Sequence, residues 1–569
     1  MIAEELKWLK AFQQFQQICQ FMEDAQRDGW RVDQIERGLV EGLFEQGRLF
    51  LQEHVESFGD GNQGESLVCE DVTLVLMDGL RDKRYLSVFG EVPYSRCVYA
   101  QGTNQKIEYA PVDALLGMPA GDNSYVLEDW QQRLCVKDPF GQATEDLKTI
   151  LGTGVSVRTA EAMNRNMSVF AEQFFQSQDA PPPDEEGELL VVTADGKGVP
   201  MRRTLEERLA QEHQEFAAQN EPAASPPTEN NTAENTGPES FPRLAEETSA
   251  TDGDAEPSGL TRRQRQKRLD ALQKKASAKQ KSQRGEKKTR KQMAYVGAVY
   301  SIDPFERCRD EVLDEVSRRQ RNQSRPHPQH KRVWAEMTRL EEGERLEGRS
   351  LLFAHLAIEV HERDPQRRQT LICLMDGEHA LWDEQDSWLP RAVQILDIFH
   401  ALERLWTVAN IFHKKGSRQA EEYVEHHLGM LLEGKVDYVV RNLRKELKAR
   451  EPGGGKRRLA AKKRKKVESA LTYYRNNRQR MRYDEYLSRG YPIGSGVAEG
   501  ACRHLVKDRL ELTGMRWEHV GAQAMIYLRA LFLNGSWREF IDYRVEQEQA
   551  TLYGAATCYP LLLSDRQAA

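Results

Sequence analysis

The sequence TLICLMDG at residues 370–377 is the most informative stretch for the class of fold. Its apolar and β-branched residues stop at Asp376-Gly377, a pattern typical of a buried strand that ends in a turn. A second run, ELLVVTA at 188–194, likewise stops at Asp195-Gly196. Two such strands place two carboxylates at the carboxyl edge of one sheet, where open α/β sheets bind ligands. We therefore expect a sheet-based core with a candidate site at that edge.

Other segments extend this core along the chain. Strand-like apolar runs occur at 293–302, 331–337 and 393–396, and the spacing at 351–360 predicts a helix. Towards the N-terminus, residues 1–56 carry apolar positions at helical spacing. Residues 69–80 and 85–99 alternate apolar and polar around turns, which predicts a small antiparallel sheet.

The period returns to helical from 111 to 175. Segments 143–151 and 155–167 flank the turn Gly152-Thr153-Gly154, as in a helix-turn-helix DNA reader, with Arg158 and Arg165 on the second helix. An ordinary helical hairpin fits the same pattern.

Two charged segments interrupt the core. Residues 203–291 are acidic and rich in Pro, Ser and Thr at first and then strongly basic, a composition typical of a disordered linker. Residues 401–485 are helical and basic, with Tyr interleaved among Lys and Arg. This mixture favours a surface that tracks phosphates, with Lys462, Lys463 and Arg464 as candidate contacts.

The whole chain has 569 residues and a formal net charge of −8. It has no run of about 20 apolar residues, so we expect no membrane span. The first residues lack the pattern of a secretory signal, which favours a cytoplasmic, nucleoid-associated protein. The eight cysteines form no C-x-x-C pair, and we expect no cysteine-based zinc site.

A third carboxylate is needed beside the two aspartates to hold two Mg²⁺ or Mn²⁺ ions for phosphodiester chemistry. The segment YPIGSGVAEG at 491–500 offers Glu499 in the first turn of a helix that Ser495 caps. Each of these residues alone also has a structural explanation. An acid such as Glu499 in the first turn of a helix stabilises the helix dipole, and an Asp-Gly pair is common in simple turns.

Five blocks of the chain resemble the successive blocks of the ISKra-type insertion-sequence transposases. They are TADGKGVP (193–200), KQMAYVGAVYSIDP (291–304), LMDGEHALW (374–382), LDIFHALERLW (396–406) and YPIGSGVAEGACRHLVKDRLELTGMRW (491–517). That family is similar to other DDE transposases with an RNase H-like core. The resemblance spans roughly residues 85–545, and it implies that Asp195, Asp376 and Glu499 form the DDE triad with two Mg²⁺ or Mn²⁺ ions. Relatives often carry a Cys-rich zinc-ribbon-like motif at the position that corresponds to Cys97. This chain lacks that motif, so the resemblance implies no zinc site here.

The resemblance also extends to residues around the triad. Asp397-Ile398-Phe399-His400 resembles the Asp/Cys-x-x-His element of Mutator-like transposases, which implies that His400 orients a water or a phosphate; a packed histidine at a helix start is the alternative. Residues after Glu499 are candidates for contacts with DNA: Arg503, His504, Lys507, Arg509, Arg516 and Trp517, the last also fitting plain core. Nearby acids such as Glu378 are interpreted as surface or supporting groups.

The expected fold is therefore α+β and multidomain, with an RNase H-like core whose mixed sheet is flanked by helices. The expected parts are an N-terminal helical segment (1–66), a small β module (67–110), a helical DNA-binding region (111–185), the core (186–202, 292–400 and 486–545), the linker (203–291), the all-helical insertion (401–485) and a C-terminal tail (546–569).

The expected function is a DNA transposase that binds the ends of its own element, cleaves them and joins them to target DNA, as a homo-oligomer that brings two ends together. The helical insertion and the N-terminal helices are the candidate interfaces. Two alternatives stay open: a catalytically silent DNA-binding protein derived from a transposase, and a nuclease or resolvase on the same core.

Overall fold

The computed structural model describes residues 8–69, 72–102, 107–202, 291–316, 325–341, 343–450, 455, 458–512 and 514–554. The linker expected at 203–291 therefore lies outside the described residues, except for Lys291, which begins a strand. The described residues up to Met201 and from Lys291 onwards form one compact unit. Within the described ranges, no helix is both long and apolar enough to cross a membrane.

The described strands, in chain order, are β1 (Ser66–Cys69), β2 (Val72–Leu76), β3 (Arg81–Lys83), β4 (Leu86–Ser87), β5 (Gly90–Glu91), β6 (Tyr94–Arg96), β7 (Tyr99–Ala100), β8 (Leu189–Pro200), β9 (Lys291–Ile302), β10 (Gln329–Met337), β11 (Arg339–Glu341), β12 (Glu344–Leu346), β13 (Thr370–Met375) and β14 (Val393–Leu396).

The described α-helices are α1 (Leu9–Asp28), α2 (Val32–Glu56), α3 (Pro111–Leu115), α4 (Tyr125–Cys135), α5 (Phe140–Leu151), α6 (Val157–Ser168), α7 (Ala171–Ser177), α8 (Arg309–Val316), α9 (Gly348–Arg363), α10 (His379–Trp388), α11 (Ile398–Phe412), α12 (Arg418–Leu432), α13 (Val436–Lys448), α14 (Ala461–Asn477), α15 (Tyr483–Ser488), α16 (Gly496–Ala501), α17 (Asp508–Leu510), α18 (His519–Leu533) and α19 (Trp537–Tyr553). A π-helical segment, Cys502–Lys507, joins α16 to α17.

The centre of the fold is a five-stranded mixed sheet in the order β10-β9-β8-β13-β14. Strands β8 and β9 pair antiparallel over their full length, and β10 pairs antiparallel with β9. Strands β13 and β14 continue the sheet parallel to β8. The predicted α+β class, the mixed sheet and all five predicted core strands are confirmed.

Each face of this sheet is covered by helices, because its strands are apolar on both sides. Leu190 and Val192 of β8 pack in one cluster with Leu352 and Phe353 of α9. On the opposite face, Val191 packs in a cluster with side chains of the predicted insertion from α12 to α15. The insertion helices thus share a hydrophobic core with the sheet that precedes them.

The N-terminal part is built as the sequence patterns indicate. Helices α1 and α2 form a hairpin, and β1, β2 and β7 form a three-stranded antiparallel sheet. Helices α5 and α6 flank the predicted glycine turn, and the hydroxyl of Ser156 caps α6 by accepting from the Thr159 backbone amide at 3.1 Å. One face of α6 is buried, through Ala160, Met163 and Met167, and α6 packs against α18.

Two histidines, His427 buried and His519 half-buried, give the fold a dependence on pH. The ring of His427 contacts the Tyr423 carbonyl oxygen at 2.8 Å, and the ring of His519 contacts the Thr338 carbonyl oxygen at 2.8 Å. Burial lowers the pKa of both imidazoles below the ordinary value. As pH falls, the imidazoles of the unfolded chain are therefore protonated before those of the folded chain. The free energy of unfolding consequently decreases as pH falls below about 6.5.

We therefore expect the double variant His427→Gln, His519→Gln to lose less stability than the wild type between neutral and mildly acidic pH. Urea unfolding at the two pH values measures this difference. An equal loss in both proteins would contradict the assignment. His361→Gln on α9 serves as the control, because no buried contact holds that imidazole.

Candidate active site

Asp195 and Asp376 occupy equivalent positions on adjacent strands. The pairing of β8 with β13 ends at Val192 opposite Cys373, so paired residues differ by 181 in number. The same offset separates the two aspartates (376 − 195 = 181), each three residues beyond that last pair. The parallel register therefore brings the two carboxylates to one edge of the sheet, as predicted.

Asp397 extends this row by one strand. Met375 of β13 pairs with Leu396 of β14, and Asp376 and Asp397 follow these two residues directly. The backbone amide of Asp397 donates to the Met375 carbonyl oxygen at 2.8 Å. Three aspartates thus lie at the same level of the sheet, one on β8 and the others directly after β13 and β14. The third was not among the residues that the sequence assigned to the site.

The position of Asp195 differs from the sequence interpretation in one respect. The predicted strand stops before this residue, but β8 continues to Pro200 and pairs Asp195 with Val296 of β9. The strand continues because β9 supplies a second, antiparallel partner beyond the point where β13 ends. Asp195 is therefore held inside a strand, whereas Asp376 begins a turn after β13.

Glu499 approaches the row from the C-terminal part of the chain. It lies in the first turn of α16, which Ser495 caps by accepting from the Ala498 backbone amide at 3.0 Å. One turn further on, the Cys502 thiol donates to Oδ2 of Asp195 at 3.4 Å. Burial, and next the charge of Asp195, raise the pKa of this thiol, with a smaller contribution from Glu499. Asp195 and Glu499 therefore both lie near the Cys502 thiol.

A buried polar clasp fixes α16 to the sheet. Oδ2 of Asp397 accepts from the Ser495 backbone amide at 2.9 Å, and Oδ1 accepts from the Phe399 amide at 2.7 Å. The hydroxyls of Ser495 and Thr193, which is on β8, lie 2.9 Å apart. Thr193, Ser495 and Asp397 are each at most 2% exposed. Burial raises the pKa of Asp397 to about 6, although both backbone amides act against the shift.

Glu378 is exposed and lies beside the two aspartates, in keeping with its interpretation as a surface or supporting group. Its backbone amide donates to Oδ1 of Asp376 at 2.5 Å. Burial, followed by the charges of Asp376 and Asp195, raises the pKa of the Glu378 carboxyl, and Arg349 opposes the rise. The site thus concentrates negative charge at one place.

The donor chemistry of this region suits a divalent cation, because carboxylate oxygens are the ligands that Mg²⁺ and Mn²⁺ prefer. In the described part of the chain, no group of three or more His, Cys, Asp and Glu side chains is arranged to hold a metal ion. The carboxylates are turned towards local donors: Oδ1 of Asp195 accepts from the Gly196 amide at 2.7 Å. Their residue types and crowding fit a metal, and coordination requires these side chains to turn.

Tyr473 of the insertion helix α14 covers the Asp376-Gly377 turn. A Cβ at residue 377 would lie 2.9 Å from Cζ of Tyr473, which explains why glycine follows Asp376. The Tyr473 hydroxyl is buried and has no hydrogen-bond partner among the described residues. Burial raises its pKa, as do the charges of Asp376 and Asp397. Sequence reasoning grouped this tyrosine with the basic surface, and only the fold places it at the site.

His400 lies in the first turn of α11, three residues after Asp397. Its Nδ1 is 3.9 Å from a carboxylate oxygen of Glu403. The charge of His400 is among the influences that lower the pKa of Asp397, so the imidazole is near the clasp. The predicted role with water or phosphate stays a prediction.

Some of the predicted DNA contacts are wrong. Arg509 is fully buried, and its Nε donates to the Cys135 carbonyl oxygen at 2.7 Å. Trp517 is also buried, and its indole donates to the Leu510 carbonyl oxygen at 3.0 Å. The two side chains stack, with the guanidinium 5.1 Å from the ring centroid, so both belong to the core. Helical periodicity turns Arg509 inwards, away from the exposed Arg503 and Lys507.

Other predicted contacts are exposed. Arg516 is exposed, and His504 is exposed with its Nδ1 3.0 Å from Asp508. On the insertion, Lys462, Lys463 and Arg464 are exposed at the start of α14, and Arg464 pairs with Glu468. On α6, Arg158 is exposed and Arg165 is half-buried.

Helix α13 adds a basic face that sequence reasoning did not resolve. Its exposed side chains include Arg441, Arg444, Lys445 and Lys448. The Arg441 guanidinium lies 4.7 Å from the ring centroid of the exposed Tyr438. Helices α13 and α14 pack against each other, so the insertion presents cations from two neighbouring helices.

Comparison of the sequence with models of known protein families and with curated proteins finds no match.

Proposed function

We propose that this chain is the DNA transposase of an insertion sequence, which binds the element ends, cleaves them and joins them to target DNA. The observation that carries the proposal is the register that aligns Asp195 with Asp376, with Glu499 on a helix tied to the same strand. A strand, a neighbouring strand and a helix from three distant parts of the chain thereby supply three carboxylates to one region.

The proposed core is RNase H-like. The mixed sheet, with three antiparallel strands followed by two parallel ones and helices on both faces, supports that assignment. The sheet order β10-β9-β8-β13-β14 puts the strand bearing Asp195 in the middle. The first aspartate is consequently the most firmly held of the three acids.

In the proposed mechanism, the oxygens of Asp195, Asp376 and Glu499 would hold two Mg²⁺ or Mn²⁺ ions, which would supply positive charge for phosphodiester chemistry. Cleavage forms a bond from a water oxygen to phosphorus and breaks the bond from that phosphorus to the 3′ oxygen; the water loses a proton to solvent, and the leaving 3′ oxygen takes up a proton from solvent to become a hydroxyl. In joining, the oxygen of this 3′ hydroxyl bonds to a target phosphorus, the bond from that phosphorus to the target's own 3′ oxygen breaks, and the proton passes through solvent to the leaving oxygen.

The residues around the triad have supporting roles in this mechanism. The Tyr473 hydroxyl has no partner in the described chain, and once α14 shifts to expose this buried group it donates a hydrogen bond to an oxygen of the phosphate. Asp397 positions Glu499 by holding the Ser495 turn. Exposed cations on α13 and α14, with Arg503 and Lys507 beside the site, bind the DNA backbone.

The test incubates the purified full chain with Mg²⁺ or Mn²⁺, a supercoiled plasmid and labelled DNA from both flanks of its own gene. We expect cleavage at discrete ends and transfer of the label to the plasmid. Cleavage without transfer would favour the nuclease or resolvase alternative. Binding to the flanks with neither reaction would favour the catalytically silent alternative.

Tyr473→Phe provides a sharper test of the site, because Tyr474 is a matched neighbour. A hydrogen bond to a charged phosphate contributes about 1.5–3 kcal/mol, so cleavage by the variant should fall about 10- to 100-fold. Its stability should not fall, since the hydroxyl has no partner to lose. Activity assays and urea unfolding measure the two effects.

Tyr474→Phe is expected to show the opposite pattern. The Tyr474 hydroxyl donates to the Ala401 carbonyl oxygen at 2.7 Å inside the core, so its loss costs about 1 kcal/mol of stability. Cleavage by the folded Tyr474→Phe protein should be near that of the wild type. Equal activity in Tyr473→Phe and wild type would remove Tyr473 from the mechanism.

A further inference from the structure

One side of the N-terminal hairpin is apolar and exposed. On α1, Phe12, Phe15 and Met22 are between 40 and 57% exposed, and Cys19 between them is exposed too. On α2, Val40, Leu43 and Phe50 are 45–57% exposed. We call these seven residues the apolar stripe. The steps between its members, three or four residues on α1 and three and seven on α2, are those of a helix seam that packs against other helices.

The two halves of the stripe lie on the same side of the hairpin. The helices contact each other through a different row, where the amide of Gln46 donates to the Ala11 carbonyl oxygen at 2.7 Å and Ile18 packs on Gly42. In each helix the stripe is turned by about a quarter of a revolution from that row. The Trp8 and Phe50 rings, with centroids 5.8 Å apart, link the two halves at one end.

The α1 half of the stripe is surrounded by uncharged residues in a way that suits self-association. Between Lys10 and Glu23, α1 has no charged residue, and its polar positions there are all glutamines. In an interface with two-fold symmetry a residue on the axis meets its own copy, so an uncharged α1 avoids contact between like charges there. Glutamine both donates and accepts hydrogen bonds and therefore pairs with glutamine.

We propose that the apolar stripe is a dimer interface, on which the hairpin of a second copy of this chain docks to form a four-helix bundle. Two hairpins that each offer two adjacent seams match the architecture of such bundles. The inference rests on the hairpin and not on the proposed chemistry. If the proposed function holds, it names the surface that brings two element ends together.

The test measures the mass of the full chain by light scattering over a wide range of concentrations, with a reducing agent present so that Cys19 cannot cross-link. The wild type should be a dimer. The double variant Phe15→Glu, Leu43→Glu should dissociate at least about 100-fold more readily, because each charge is buried against its copy. Both sites are exposed in the monomer, so circular dichroism should show an unchanged fold.

Gln13→Glu with Gln17→Glu is the control, since it adds the same charge on the other side of α1 and should remain a dimer. A monomeric wild type, or a double variant that dimerises as well as the wild type, would overturn the proposal. DNA cleavage is assayed separately: a dimer that fails to cut DNA overturns the proposed function and leaves the interface standing.

Discussion

Replacing Asp376 with asparagine is expected to abolish DNA cleavage and joining while leaving the fold intact. In the proposed mechanism Asp376 is a metal ligand, and its loss removes several kcal/mol of transition-state stabilisation, or a factor of about 10³ or more in rate. The asparagine carbonyl still accepts from the Glu378 amide, and one of the repelling charges is gone. The free energy of unfolding should therefore be unchanged or slightly higher.

Asp383→Asn is the matched control for this variant. Asp383 is an exposed acid on α10, a few residues further along the same segment, and the charge change is identical. It should cut and join DNA like the wild type. If Asp376→Asn keeps wild-type activity, the carboxylate row is not the catalytic centre, even if the protein is a transposase.

Replacing Asp397 with alanine is expected to damage both stability and activity. The variant leaves the buried amides of Ser495 and Phe399 without their acceptor, and α11 loses its N-cap. These losses together cost about 2–4 kcal/mol, reduced somewhat because the buried carboxylate is itself unfavourable. With Ser495 released, Glu499 is no longer held against β8, and cleavage should fall with the stability.

Two measurements separate the effects of Asp397. Urea unfolding gives the stability, and cleavage assays at a temperature where the variant is fully folded give the positioning effect. Glu403→Ala, at an exposed position on the same helix, should change neither. Full activity in folded Asp397→Ala would show that the clasp stabilises the protein without positioning Glu499.

The central sheet could be predicted because its strands are buried on both faces. Segments such as TLICLM and ELLVVTA are continuous apolar runs with abrupt ends, and their short length, their β-branched residues and the Asp-Gly that follows favour a strand over a buried helix. Asp195 and Asp376 could be predicted as site residues because each comes directly after one of these apolar runs. The helix cap at Ser495 followed from its residue type and from the glycines around it.

The parts that escaped prediction depend on contacts between distant segments. β8 passes Asp195 because β9, nearly a hundred residues later, pairs with it. Asp397 joins the row only through the register of β13 with β14. Arg509 is charged and follows Glu499 in the sequence, which favoured the prediction that it contacts DNA. Its burial against Cys135 could not be predicted, because it depends on a helix from the N-terminal half of the chain.

The ring of Tyr473 over Gly377 also bears on the order in which the site forms during synthesis. A ribosome releases Asp195 and Asp376 long before Tyr473 and Glu499, and the sheet edge stays open until the later helices arrive. A chain that terminates early thus carries two of the acids without the groups that complete their surroundings. For the proposed transposase, translation beyond Glu499 is therefore required before the chain can cut DNA.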